Sequence, residues 1–397
     1  MTELSTPRQA PRFAPRRSAT RDTIDDQVRR LDWVLQTAVL GMIIMGALLV
    51  WAATKDAETR QGGDPNSYLK HSILNAGIGL VLGALTARID YRALRAYAPI
   101  LYVASIAGLF LVLVPHIGVT INGAHSWISL PAGFELQPSE FAKVALIVGM
   151  AMILAERRDG ESGPRDKDVL IVLALAAVPM GLILLQPDFG SMMVFTFIVL
   201  GIISISGAPA RWTVGLILGG ILFGAAILGF HLLKPYQEAR LTNFASQSAN
   251  TGTTGYNVAQ AKTAIGDGGV LGQGLFDGTQ TNGGYVPEQQ TDFVFTVSGE
   301  ELGFAGSALL LLLLLTVLWR GTRIAMRADD PFGQLVAVGI VSWFAFQSFI
   351  NIGMTLGIMP VTGLPLIFVS YGGSSMFANM IGIGLLQNVH LRSSERL

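Results

Sequence analysis

The chain has 397 residues, 51% of them hydrophobic and 14% charged, and its mean hydropathy is positive. These values exclude a disordered chain and an ordinary soluble domain. The formal net charge is zero, which gives no sign of a nucleic-acid partner, and the absence of cysteine excludes disulfides, thiolate nucleophiles and Cys-held metals.

Residues 1–30 are polar and carry Arg8, Arg12, Arg16, Arg17, Arg21, Arg29 and Arg30. They lack the apolar core of a cleaved signal peptide, so a disordered cytosolic tail is expected, compatible with contact to anionic lipid. Ten apolar stretches follow: 33–53, 69–87, 97–115, 138–156, 169–186, 189–207, 212–233, 293–319, 332–355 and 366–389. A span needs roughly 17 to 25 such residues. The fifth and sixth stretches form a hairpin around Gln186-Pro187-Asp188-Phe189-Gly190, and Tyr371-Gly372-Gly373-Ser374 interrupts the tenth. An all-α polytopic membrane protein of about ten helices is therefore expected, with a membrane domain over 31–392 and a short tail at 393–397.

Charge sets the orientation. With the N-terminus inside, 20 of the 27 Lys and Arg residues fall in the tails and loops on that side, six fall outside, and Lys143 lies within a span. The positive-inside rule then places both termini in the cytosol and the long loop 234–292, between the seventh and eighth spans, outside. That loop is too long to be a mere connection. Its GDGGVLGQG run, Gly266–Gly274, spells neither G-x-G-x-x-G nor a P-loop, so an irregular loop that orders over a large substrate is the better reading. The five histidines include no H-x-x-x-H pair, which disfavours a histidine metal site.

The loop ends in YVPEQQTDFVFTVSGEELG, Tyr285–Gly303. Glu288 closes the loop, and Thr291 or Asp292 is expected to cap the eighth helix, where its dipole favours an ionised carboxylate. On this segment alone Asp292 reads equally well as a cap or as a functional acid. Glu300 and Glu301 lie deeper, and acids inside a span usually face a partner or a wet cavity. Three further polar groups collect at the outer ends of spans. Glu140 and Lys143 in QPSEFAK share a helical face, as a structural ion pair or as direct participants. Asp188 sits in a turn that its own residue type favours. Lys234, Tyr236, Gln237 and Arg240 lie just past the seventh span, where arginine grips phosphate or simply snorkels. Four polar groups on one face suggest a common cavity.

Taken together, NGAHSWI (Asn122–Ile128), QPSEFAK (Gln137–Lys143), QPDFG (Gln186–Gly190), PYQEAR (Pro235–Arg240), PEQQTDFVF with EELG (Pro287–Gly303) and NIGMTLGIMPVTGLPLIFVSYGGSS (Asn351–Ser375) resemble the SEDS family of bacterial shape, elongation, division and sporulation proteins. The resemblance covers nearly all of the membrane region in the family's order. The MPVTG and NIGMT runs are more similar to its rod-shape branch, RodA, than to its division branch, FtsW. It implies a peptidoglycan glycosyltransferase of the bacterial cytoplasmic membrane. Such an enzyme polymerises lipid II, a disaccharide–pentapeptide on undecaprenyl diphosphate, on the outer face. The family's essential acid falls on Asp292, and its Glu and Lys fall on Glu140 and Lys143. The chain departs from the family at Gln290, where many relatives have His, and at Ser126, where many have Arg. The resemblance also implies a class B penicillin-binding transpeptidase as partner.

The residues suit that chemistry. A sugar hydroxyl attacking the anomeric carbon needs a base, which Asp292 supplies. The leaving diphosphate needs positive charge from Arg240, Lys143, Lys234 or a divalent cation, Mg or Mn. The rival readings are a lipid II flippase, although no inverted repeat is visible, and a scaffold that only recruits a partner.

Overall fold

The computed structural model describes residues 29–89, 91–121, 124–129, 135–156, 163–229 and 253–393. Ten apolar segments become helical in the expected order. Helices α1 (Trp33–Arg60), α2 (Ser67–Arg88) and α3 (Tyr91–Leu113) lead into a small antiparallel sheet of β1 (Gly118–Ile121), β2 (Ala124–Ser129) and β3 (Glu135–Leu136). Then come α4 (Pro138–Leu154), α5 (Asp166–Leu185), α6 (Phe189–Ile205) and α7 (Ala210–Gly229). Past the undescribed residues lie α8 (Thr253–Asp267) and α9 (Thr279–Gly283). The rest is α10 (Val294–Glu301), α11 (Gly303–Arg327), α12 (Pro331–Thr355) and α13 (Gly373–Ser393).

Helix α4 is the hub. Pro138 occupies its first turn, where a missing N–H costs nothing. It is buried on every side, from Pro138 and Ala142 through Ala145–Ala151 to Leu154, as expected of a helix apolar all round. It packs against α3, α5, α6, α12 and α13. Asp32 caps α1 by accepting the Leu35 N–H at 3.0 Å. Its other oxygen meets Arg320 Nη2 at 2.6 Å, and its backbone exchanges hydrogen bonds with the Gln387 amide. One buried residue thus ties α1 to α11 through its carboxylate and to α13 through its backbone.

Three expectations change. The expected loop 234–292 is not wholly irregular, since α8 and α9 lie within it. The eighth span is broken: α10 ends at Leu302, and α11 begins at Gly303, whose φ of 63° only glycine adopts cheaply. The glycine-rich run straps this break. Gln273 and Gly274 N–H donate to the terminal carbonyls of Glu300 and Glu301, and Gly269 and Val270 carbonyls accept from Phe304 and Ala305. The break therefore leaves few orphan backbone groups. A Cβ at Gly268 would lie 2.0 Å from the Gly299 carbonyl, which explains the glycines without any nucleotide. The tenth helix starts at Gly373 rather than near 366, because residues 356–372 run without helix. Irregular backbone at membrane depth is tolerated where it lines a cavity.

Candidate active site

That irregular segment lines one wall of a cavity of about 290 Å³. Its other walls come from α2, β2, the start of α4, the α5–α6 turn and the strap ending at Asp292. Glu140, Asp188, Glu288 and Asp292 all line it, so four sequence candidates from distant parts of the chain meet in one place. Glu135 joins them. Among the described residues the lining holds no Lys or Arg, and His71 is its one histidine.

The N-cap position of α10 is Phe293 rather than Asp292 or Thr291. Glu288 turns back on itself with φ 54°, and its carbonyl accepts the N–H groups of Thr291, Asp292 and Phe293. The backbone around Asp292 is then pinned from two other elements. Asn351 Nδ2 donates to the Asp292 carbonyl at 2.8 Å and to the Leu364 carbonyl at 2.7 Å. Ser370 Oγ donates to the Thr291 carbonyl, and Tyr371 N–H to the Gln290 carbonyl at 2.9 Å. Gly363, with φ 73°, leaves the carboxylate room: a Cβ there would stand 3.4 Å from Asp292 Oδ2. Asp292 itself is half-buried.

Lys143 and Glu140 form the expected pair. Nζ lies 2.7 Å from Glu140 Oε1, with Lys143 wholly inaccessible. Nζ also donates to Gln347 Oε1 at 3.1 Å and sits 4.5 Å from the centre of the Trp343 ring. The cavity lining excludes it, so the expectation that Lys143 grips a diphosphate is corrected: its charge is consumed by Glu140. Asp188 both lines the cavity and caps α6, accepting from Ser191 N–H at 2.9 Å and Oγ at 2.7 Å. Gln137 Nε2 holds it at 3.2 Å.

Glu300 is a second correction. It is buried but lies away from the cavity lining. Its two oxygens accept from Gln280 N–H at 2.6 Å, Thr281 N–H at 2.9 Å, Thr281 Oγ1 at 2.7 Å and Thr279 Oγ1 at 3.3 Å. It anchors the N-terminus of α9 and thereby the strap. Glu301 accepts the Phe276 N–H at 3.1 Å. The strap is also fastened to α1: Gln289 Nε2 donates to the Ala53 carbonyl at 2.8 Å, and the Lys55 ammonium sits 4.5 Å from the Phe276 ring centre. Lys234, Tyr236, Gln237 and Arg240 lie outside the described residues.

Sequence reasoning missed Gln347 and Asn351. The signal was present: Trp343, Gln347 and Asn351 recur every four residues on an otherwise apolar span, one face of a helix. Among the described residues no three His, Asp or Glu side chains converge to hold a metal ion, so no resident metal centre is assigned.

A family model described as cell cycle protein, covering FtsW, RodA and SpoVE, matches residues 32–395. Stage V sporulation protein E of Bacillus subtilis is 37% identical over 90% of this chain and 96% of its own length. A probable peptidoglycan glycosyltransferase FtsW of Geobacter sulfurreducens is 34% identical over 92% and 96%. A solved peptidoglycan synthase complex that coordinates polymerization and crosslinking contains a chain with TM-score 0.75 and 31% identity, covering 91% of this chain and 98% of that one. Relatives from the sporulation and division branches thus stand at similar identity.

Proposed function

Because the chain belongs to the SEDS family, we propose that it is a peptidoglycan glycosyltransferase that polymerises lipid II, with Asp292 as general base. The observation that carries this reading is the placement of Asp292: a half-buried residue that lines a polar cavity, on backbone pinned by Asn351 at its own carbonyl and by Ser370 at the Thr291 carbonyl. Asp292 takes the proton of the attacking sugar hydroxyl as that oxygen bonds to the anomeric carbon, and the lipid diphosphate departs with the bonding pair. Rigid support on both flanks matters, because misplacement by about 1 Å can cost on the order of 10²-fold. A Mg or Mn ion, if bound, would draw on carboxylates of the cavity lining such as Asp188 or Glu288 and would supply positive charge to the leaving diphosphate.

The test is polymerisation of purified lipid II by the purified chain. Asp292→Asn keeps the shape and loses the basicity; a drop of roughly 10² to 10⁴-fold is expected. Near-normal strand synthesis by this variant would move the assignment to a flippase. The charge rule supports an outward-facing cavity with both termini cytosolic. Reporter fusions after residues 160 and 325 should read cytosolic and one after 260 external; an external reading at 160 overturns this orientation. A role in elongation, rather than division or sporulation, rests on the MPVTG and NIGMT runs and is tested by whether depletion rounds or filaments the cell. The neighbour's assembly supports a crosslinking partner, a class B penicillin-binding transpeptidase, checked by co-purification.

A further inference from the structure

Three residues that line the cavity from separate elements each hold a buried polar atom with no hydrogen-bond partner among the described residues: Asn75 Oδ1 on α2, Ser126 Oγ on β2 and Glu140 Oε2 on α4. Their residues are 5%, 1% and 1% exposed. An unmet buried polar group costs about 1–3 kcal/mol, so three around one space mark where a ligand's groups belong. Two of these atoms only accept, and Ser126 does either. Lys143 already balances the Glu140 charge through Oε1, which leaves Oε2 as a hydrogen-bond acceptor more than as a site for a cation.

The remaining walls narrow the ligand further. Tyr68 and Tyr371 pack with ring centres 4.9 Å apart, and with Trp127 they give the cavity aromatic faces. Aromatic faces beside hydrogen-bond acceptors fit a saccharide ring, which presents C–H faces and an equator of O–H and N–H donors. A diphosphate donates nothing, so it would leave Asn75 Oδ1 and Glu140 Oε2 unmet. The volume suits one ring-sized group rather than a lipid-linked disaccharide–pentapeptide.

We propose that Asn75, Ser126 and Glu140 form a recognition wall for the acceptor sugar, the ring that carries the attacking hydroxyl. This rests on the reading of Asp292 as base, since the hydroxyl that Asp292 deprotonates must lie in the same cavity. The wall orients the ring by its other hydroxyl and acetamido N–H donors, and the diphosphate-bearing ring lies beyond it.

The test compares lipid II with two analogues, each altered only on the ring that carries the free attacking hydroxyl. One replaces the acetamido N–H by an ester oxygen; the other replaces a second ring hydroxyl by hydrogen. With the unmodified chain, at least one analogue should show a KM raised about tenfold, the loss expected when one buried hydrogen bond is left unmet. Asn75→Ala and Ser126→Ala should each raise the KM for native lipid II by about tenfold with kcat within about threefold, and in one of them the analogue's penalty should vanish. Ser126→Thr, which keeps the hydroxyl, should restore KM. The analogue arm needs no mutation, so a variant that misfolds leaves the proposal exposed to refutation. Unchanged KM in both variants and both analogues, with activity still dependent on Asp292, overturns the wall alone. A penalty tied to the diphosphate-bearing ring instead also overturns it. Activity independent of Asp292 overturns the underlying reading.

Discussion

Glu140 and Glu300 are both buried acids that the sequence placed inside membrane spans, yet they have opposite situations. Glu300 accepts four hydrogen bonds from one short helix, and neither oxygen faces the cavity. Glu140 has one oxygen on Lys143 and the other without a partner, at the cavity wall. A saturated buried carboxylate holds the fold; a half-satisfied one that lines an opening is available to a ligand. The difference lies in satisfaction rather than in burial, charge or depth.

Breaking the Glu140 pair should have the largest effect. Removing one partner of a buried ion pair strands the other, at roughly 3–5 kcal/mol. Glu140→Gln and Lys143→Met should each melt at markedly lower temperature, and the double variant should recover part of the loss. Additive losses would show that the two residues do not depend on each other. Glu300→Ala comes next, since it orphans two buried backbone N–H groups and frees the strap, costing about 1–3 kcal/mol. Limited proteolysis should then open the chain between residues 268 and 286 before any other described segment, while KM changes little and kcat falls. Protection equal to that of the unmodified chain would remove Glu300 from the anchoring role.

Asn351→Ala tests the same distinction at the base. It leaves the Asp292 and Leu364 carbonyls short of a donor, and the expected result is a fall in kcat of about 10-fold or more with the protein still folded. Gly363→Ala is milder: at φ 73° an added Cβ costs of order 1–2 kcal/mol, while its 3.4 Å approach to Asp292 Oδ2 is ordinary contact.

Much of this was legible in the sequence because membrane helices announce themselves by length and hydropathy. The ten spans, the Glu140–Lys143 pair and the meeting of Asp188, Glu288 and Asp292 follow from apolar runs and helical spacing. What stayed hidden depends on tertiary contact. Nothing local distinguishes Glu300, which reaches across to Thr281, from an acid that lines a cavity. The strap's glycines read as a loop because their purpose, close approach to the Gly299 carbonyl, belongs to a residue 31 positions later in the chain. Asn75 drew no notice because a single Asn on an apolar helix carries no pattern; its meaning comes from the cavity it faces.

The wall built by residues 362–375 has a consequence for biogenesis. Asp292 and its loop leave the ribosome well before Gly363, Ser370 and Tyr371, which pin or border them. Synthesis is vectorial, so the described helices that precede residue 362 are made while Asp292 lacks that support and the cavity is open on one side. Ribosomes stalled before that stretch would therefore leave inserted but inert protein in the membrane. Translation through residues 362–375 supplies the missing side, so Asp292 gains its support only after that stretch has been made.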